Sequence, residues 1–179
     1  FDPTKVGVIY ESEELNSILL QLCNYDAEKL NFNTANRWDK SPIIKNLLKE
    51  NKDASLAELK SDPSDLYPYA VANNDKIKYS HIPSKDTGIW RVFLPQFSST
   101  TKFFIDDTMS ATASTWTHRC QSKDEAEYIK NIVSDPRYVW VIDQLKVSKR
   151  ISSSIRYLPI APIDQVLNAD QLSYIDSQL

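Results

Sequence analysis

The side chains that could bind a metal ion or act as nucleophiles are few and widely spaced in this sequence. The chain has two histidines and two cysteines among its 179 residues. His118 and Cys120 are separated by one residue and could supply two metal ligands, but no second pair completes a zinc site. We therefore expect both to be structural residues of a strand, and we expect Cys23, which follows Leu22 in a helical pattern, to lie in the core.

Sequence motifs for the common catalytic classes are missing. The sequence contains no G-x-S-x-G nucleophile elbow. Gly7 and Gly88 are the only glycines, which excludes the glycine-rich loops that bind dinucleotides or phosphates. Asp106 and Asp107 are adjacent, but neighbouring residues of a strand face opposite ways. No Glu-x-Lys follows them, so an independent metal nuclease is the least favoured alternative.

Aromatic, polar and basic side chains interleave in the second half of the chain. A loop rich in Gln, Ser and Thr and flanked by Lys and Arg can hydrogen-bond to phosphates and base edges. The candidates for DNA contact in this region are Arg91, Gln96, Ser98, Ser99, Lys102 and Arg119. Any solvent-facing hairpin could have the same composition, so this pattern leaves a purely structural explanation open.

The net charge of −3 argues against a histone-like or polybasic membrane-binding protein. Residues 136–160 are locally basic, with five Lys or Arg side chains against Asp143 alone. Such a patch can contact phosphates, and a solvated helix face without a partner is an equally good explanation. The candidate phosphate contacts are Lys146, Lys149, Arg150 and Arg156. Arg156 is also a candidate base reader, as are Arg91, Gln96 and Arg119, because Arg suits guanine and Gln suits adenine.

The order of apolar patterns predicts an α+β fold, a mixed or antiparallel sheet with helices packed against it. Residues 1–65 form a mainly helical N-terminal part or insertion, and residues 66–179 form a sheet-plus-helix region. The predicted N-terminal elements are a strand over 5–10, a helix capped by Ser12 and a helix beginning at Ser41-Pro42.

The second region has clearer element boundaries. Its predicted strands are 66–73, 76–82, 89–95, 101–107 and 110–120. A capping box at Ser122 opens a helix, and Asp135-Pro136 ends it and begins the next. An extended stretch over 155–160 and a short helix opened by Asn168 or Asp170 follow.

The segment order from residue 66 onward resembles the C-terminal target recognition region of DNA adenine-N6 methyltransferases from restriction-modification systems. The matching stretches are YPYAVANNDKIKYSHI, IWRVFLPQ and KFFIDD, in that order. The best match is the helix start Ser122-Lys123-Asp124-Glu125-Ala126-Glu127, and Leu158-Pro159-Ile160 matches the short stretch that closes the region.

The resemblance implies a DNA sequence-recognition module whose partners are double-stranded DNA and a linked catalytic domain outside this chain. The Asn-Pro-Pro-aromatic tetrapeptide of those enzymes is absent from the sequence. S-adenosylmethionine is therefore expected for the linked domain, and no cofactor for this chain. A protein-interaction module that does not bind nucleic acid is the alternative.

The sequence also predicts a cytoplasmic location without membrane contact. It has no apolar run of the roughly 18 residues that span a bilayer, and its N-terminus lacks the features of a signal peptide. Two distant cysteines suit a reducing compartment. The missing initiator Met leads us to expect a piece of a longer protein.

Overall fold

The structure, a computed structural model, describes residues 12–34, 59–147, 150–151 and 153–179. Within these residues the fold is α+β, as the sequence predicts, with mostly antiparallel strands and an N-terminal helix. The predicted strand over 5–10 and the predicted helix at Ser41-Pro42 lie outside the described residues. Residues 35–58 of the predicted N-terminal part also lie outside the described residues.

All the described α-helices except the one over Ile163–Val166 begin at a residue whose side chain caps the first turn. Ser12, Ser122, Asp135 and Asn168 each accept a hydrogen bond from a backbone N–H of the first turn, which satisfies a donor that the helix itself leaves unpaired. The α-helices are α1 (Glu13–Asn24), α2 (Lys123–Val133), α3 (Pro136–Gln144), α4 (Ile163–Val166) and α5 (Ala169–Asp176).

The strands form two main sheets and one small hairpin. They are β1 (Asn33–Thr34), β2 (Tyr69–Asn73), β3 (Lys76–Ser80), β4 (Arg91–Pro95), β5 (Phe104–Asp106), β6 (Ser110–Ala111), β7 (Thr115–Arg119), β8 (Lys146–Val147) and β9 (Arg150–Ile151). The four-stranded sheet has the order β1-β7-β4-β5, and the three-stranded sheet has the order β3-β2-β6. Only β2 and β6 pair in parallel among the described strands.

β4 lies at the centre of the molecule and is buried along its whole length. Val92 and Leu94 belong to the main core with the helices, whereas Phe93 packs with Ala72 and Ala111 of the three-stranded sheet. Successive strand residues face opposite sides, so β4 is covered by helices on one side and by the second sheet on the other.

The described N-terminal elements are integral to this core. α1 buries Leu15, Ile18 and Leu22 in the same cluster as the C-terminal helices. Its cap residue Ser12 lies 3.2 Å from the hydroxyl of Tyr174 in α5, and β1 pairs with β7. The described part of residues 1–65 thus folds together with the second region.

Three local predictions need correction. Residues 110–120 form two strands, because a turn closed by Thr115 N–H on the Thr112 carbonyl (3.1 Å) moves the chain from one sheet to the other. Residues 153–157 form a 3₁₀ helix where an extended stretch was expected. At α2, the Glu125 carboxylate accepts from the backbone N–H of Gln121 and not of Ser122, so the capping box is displaced by one residue.

Candidate nucleic-acid interface

The structure separates the predicted DNA-contacting residues into groups. Those that follow β4 in sequence meet the β8–β9 hairpin at one end of β4, whereas Arg91 and Arg119 face each other at the opposite end. Four residue steps along the strand separate the two ends by about 13 Å. Arg156 lies apart from both groups and donates from Nε to the carbonyl of Phe32 at 3.1 Å. Lys149 is outside the described residues.

The loop after β4 is fixed on one side by the β2–β3 turn. Asn74 in that turn has a φ of 56°, a left-handed conformation that asparagine tolerates better than most residues. Asn74 makes two hydrogen bonds in this conformation. The backbone N–H of Asn74 donates to Thr115 Oγ1 at 2.8 Å, and its side-chain oxygen accepts from the backbone N–H of Phe97 at 2.9 Å.

Asp143, in the last turn of α3, fixes the other side of the loop. Its Oδ1 accepts from the hydroxyl of Thr101 at 2.6 Å and lies 2.6 Å from the ammonium of Lys146. Lys146 also reaches the carbonyl of Ser98 at 3.5 Å. The charge of Lys146 is therefore matched by a neighbouring carboxylate, and this lysine positions the loop.

Gln96 cannot read a base edge in this structure, because it is 1% exposed. Its amide donates to the Ala113 carbonyl at 2.9 Å, and its backbone carbonyl accepts from Ile151 at 3.1 Å. Gln96 thus connects β4 to the β6–β7 turn and to β9. The interpretation as an adenine-reading side chain is replaced by this structural role.

Arg91 is also withdrawn from the surface, at 1% exposure. Its guanidinium lies 3.3 Å from the carboxylate of Asp86 and donates to the carbonyl of Met109. Burial lowers the pKa of Arg91, an effect that Asp86 opposes. Arg119, at 61% exposure, lies 3.6 Å from the other oxygen of Asp86. The Asp86 carboxylate therefore lies between Arg91 and Arg119, which belong to paired strands. This ion-pair cluster lies away from the loop after β4.

Apart from Arg119 and Arg156, the described candidate residues that remain exposed lie on the loop surface, which we define as Phe97–Thr100, Lys102 and Arg150. Phe97 is 44% exposed, and the guanidinium carbon of Arg150 lies 5.6 Å from the centre of its ring. Within the described residues, Lys102 and Arg150 form no ion pair with a carboxylate. The loop surface thus presents two cations, an aromatic ring and hydroxyl groups on a loop held at both sides.

A groove of about 440 Å³ lies beside the loop surface. One wall is the β2–β3 turn with Asp75 and Ile77, and the other includes Ser99 and Lys102. Phe104 of β5 also lines it. The sequence predicts the turn between β2 and β3. It does not indicate that this turn lies against the loop after β4, because the contacts join residues far apart in the chain.

His118 lies in β7, and Cys120 directly follows that strand. His118 is buried, and its Nδ1 accepts from the backbone N–H of Asn31 at 2.9 Å. Burial lowers the pKa of His118 and raises the pKa of the Cys120 thiol to about 11, as it also does for Cys23. Among the residues that the structure describes, no group of His, Cys, Asp and Glu side chains could hold a metal ion.

Comparisons with protein-family models, curated protein sequences and solved structures give no significant match to this chain. None of the helices within the described ranges is long and apolar enough to cross a membrane. Gly88, the one glycine among the described residues, donates its N–H to the Asp107 carbonyl at 2.7 Å.

Proposed function

We propose that this chain is a DNA-recognition module of a DNA methyltransferase or restriction-modification enzyme, whose catalytic domain lies outside the chain. The loop surface is the observation that carries the proposal. Lys102 and Arg150 are exposed cations without carboxylate partners in the described structure, and they accompany an exposed ring and serine hydroxyls. This combination suits phosphate contacts that position a protein on DNA and polar contacts that reach base edges.

The rigidity of the loop is the second support. Asn74 and Asp143 bond it from opposite sides, so binding would not have to order a flexible segment. A loop that is already in place loses less conformational entropy when it binds. A loop surface with two cations suits a module tethered to a catalytic domain, because a tether raises the effective concentration of DNA.

The residues that resemble methyltransferase recognition regions have structural roles here. Ser122 caps α2, and the Pro159 carbonyl accepts a hydrogen bond from the buried hydroxyl of Tyr138. These residues build the fold, whereas DNA contact is assigned to the loop surface.

The protein-interaction alternative would require a continuous exposed apolar patch. Leu66, Tyr69 and Ile77 are exposed near the β2–β3 hairpin. In the strand register Tyr69 pairs with Ser80 and Ile77 pairs with Ala72, which places Tyr69 and Ile77 on opposite faces of the hairpin. These three side chains do not form one patch, so the described part of the chain shows no continuous apolar surface around this hairpin.

Fluorescence anisotropy with a randomised DNA duplex tests the proposal. We expect binding that weakens steeply between about 50 and 200 mM salt. The double variant Lys102→Ala/Arg150→Ala should bind about ten-fold more weakly at the lower salt. Lys123→Ala is the matched control, since Lys123 is exposed but lies over Trp90, beside the start of β4. Absence of salt-sensitive binding by the folded wild-type protein would overturn the proposal and favour the protein-interaction alternative.

A further inference from the structure

We propose that the groove between the β2–β3 turn and the loop surface binds an unstacked nucleobase, so that the preferred ligand is DNA containing an unpaired nucleotide. This inference rests on the proposed function and specifies its ligand. The aromatic ring in the groove belongs to Phe104, which also packs against the buried cluster of Phe93, Ala72 and Ala111.

Phe104 provides one face for stacking. Its ring lies 4.8 Å from that of Phe93, centre to centre, and the two planes are inclined by 10°. Phe93 is fully buried, and the guanidinium carbon of Arg91 lies 5.0 Å from the centre of the Phe93 ring. Phe104 is half-buried and lines the groove. Because Phe104 lines the groove together with Met109, a flat group that entered the groove could stack on the Phe104 ring.

The dimensions of the groove suit such a group. Its volume of about 440 Å³ falls in the range of small-molecule sites, about 300–1,000 Å³. Ile77 also lines the groove and is 41% exposed, a large exposed fraction for a branched apolar side chain. A base between Phe104 and Ile77 would cover apolar surface on both of its faces.

The rim of the groove has the charges needed for the rest of a nucleotide. Lys102 is exposed on the loop side and suits a phosphate, and Ser98 and Ser99 add hydroxyl groups there. Asp75 is exposed on the turn side. Its carboxylate would repel a phosphate but accepts hydrogen bonds from exocyclic amino groups of bases. The charge distribution therefore orients a nucleotide with its phosphate toward Lys102 and its base edge toward Asp75.

A paired base within a duplex cannot reach this groove, because both of its faces are covered by neighbouring bases. A bulged nucleotide costs less to unstack than a paired one. Aromatic stacking in single-strand-binding proteins tolerates any base, since every base has a π face. The groove should thus distinguish DNA by the presence of an unpaired base rather than by sequence alone.

The test compares two labelled duplexes that differ by one unpaired adenine in the middle of one strand. Wild-type protein should bind the bulged duplex at least about five-fold more tightly than the fully paired one, as expected for one stacked base. Phe104→Leu keeps apolar contact with Phe93 but removes the aromatic face, so it should abolish this preference while leaving affinity for paired DNA unchanged. Phe97→Leu is the control from outside the groove, and it should weaken both complexes by the same factor.

A second variant keeps the test valid if Phe104→Leu unfolds. Ile77→Ser alters the opposite wall at an exposed position, so it should fold and should also lose the preference for the bulge. Equal affinity of wild-type protein for both duplexes would overturn the groove assignment and leave DNA binding intact. Failure to bind either duplex would overturn the proposed function itself and the groove assignment with it.

Discussion

Arg150 and Phe97 lie against each other, with the guanidinium carbon 5.6 Å from the ring centre, although they are far apart in the chain. The contact links the β8–β9 hairpin to the loop after β4. Because a cation–π contact uses the flat face of the guanidinium, the N–H groups at its edges remain free to donate to phosphate oxygens. Phe97 thus holds Arg150 in position without neutralising its charge.

The left-handed backbone of Asn74 gives a prediction about stability. Asn74→Gly keeps this backbone conformation accessible but loses the hydrogen bond to Phe97, so the free energy of unfolding should fall by about 1 kcal/mol. Asn74→Ala loses the same bond and adds a left-handed strain of about 1–2 kcal/mol. In urea denaturation, the wild-type protein should be the most stable, Asn74→Gly less stable and Asn74→Ala the least stable. An alanine variant as stable as the glycine variant would contradict the account of this turn.

Asp143 should contribute more to stability than other partly exposed acids. Asp143→Ala removes the partners of Thr101 and of Lys146, whose side chain is only 10% exposed. Leaving that ammonium unpaired should lower the free energy of unfolding by about 2–3 kcal/mol. Hydrogen exchange of the backbone amides of residues 97–102 should accelerate in the same variant.

Two further variants isolate the cause of this effect. Asp62→Ala changes an exposed acid and should leave stability within about 0.5 kcal/mol. Asp143→Ala/Lys146→Met removes the unpaired charge as well and should recover part of the loss. No recovery in the double variant would show that the hydrogen bond to Thr101, and not the ion pair, provides the stabilisation.

His118 should make stability depend on pH in the mildly acidic range. Burial lowers its folded-state pKa below the ordinary value of about 6.5. The unfolded chain therefore binds a proton more readily, and stability is lost as pH falls from 6.5 toward the folded-state pKa, by at most about 1.4 kcal/mol per pH unit. Protonation at Nδ1 would also break the bond from Asn31.

Urea denaturation at pH 7.5 and 5.5 measures this dependence. His118→Gln should be less stable at pH 7.5, because it disturbs the packing against Phe32, and should lose less stability between the two pH values. His81 is retained in both proteins, so its contribution cancels in the comparison. Equal pH dependence in the two proteins would exclude His118 as the titrating group.

Features set by nearby residues were predictable from the sequence. The caps at Ser12, Ser122, Asp135 and Asn168 precede helices because a short polar side chain bonds an N–H two or three residues further on. The β2–β3 hairpin and the α+β class follow from similarly local patterns.

The burial of individual polar side chains was not predictable in the same way. Arg91 and Gln96 are polar residues of the kind expected at a surface, yet the segment between β3 and β4 contacts Arg91 and the β6–β7 turn contacts Gln96. Whether a strand end is covered depends on elements that arrive from elsewhere in the chain. The bond between Thr101 and Asp143 is likewise non-local, so the sequence could suggest the loop as a contact site without showing what holds it.

The salt dependence of DNA binding tests the central claim most directly. The logarithm of the binding constant should fall linearly with the logarithm of salt concentration, with a slope of about −0.9 per phosphate contact. If Lys102 and Arg150 each contact a phosphate, the slope of the double variant Lys102→Ala/Arg150→Ala should be shallower by about 2 than that of wild type, whereas Lys123→Ala should leave it unchanged. Equal slopes for the double variant and wild type would contradict the assignment of the loop surface to DNA.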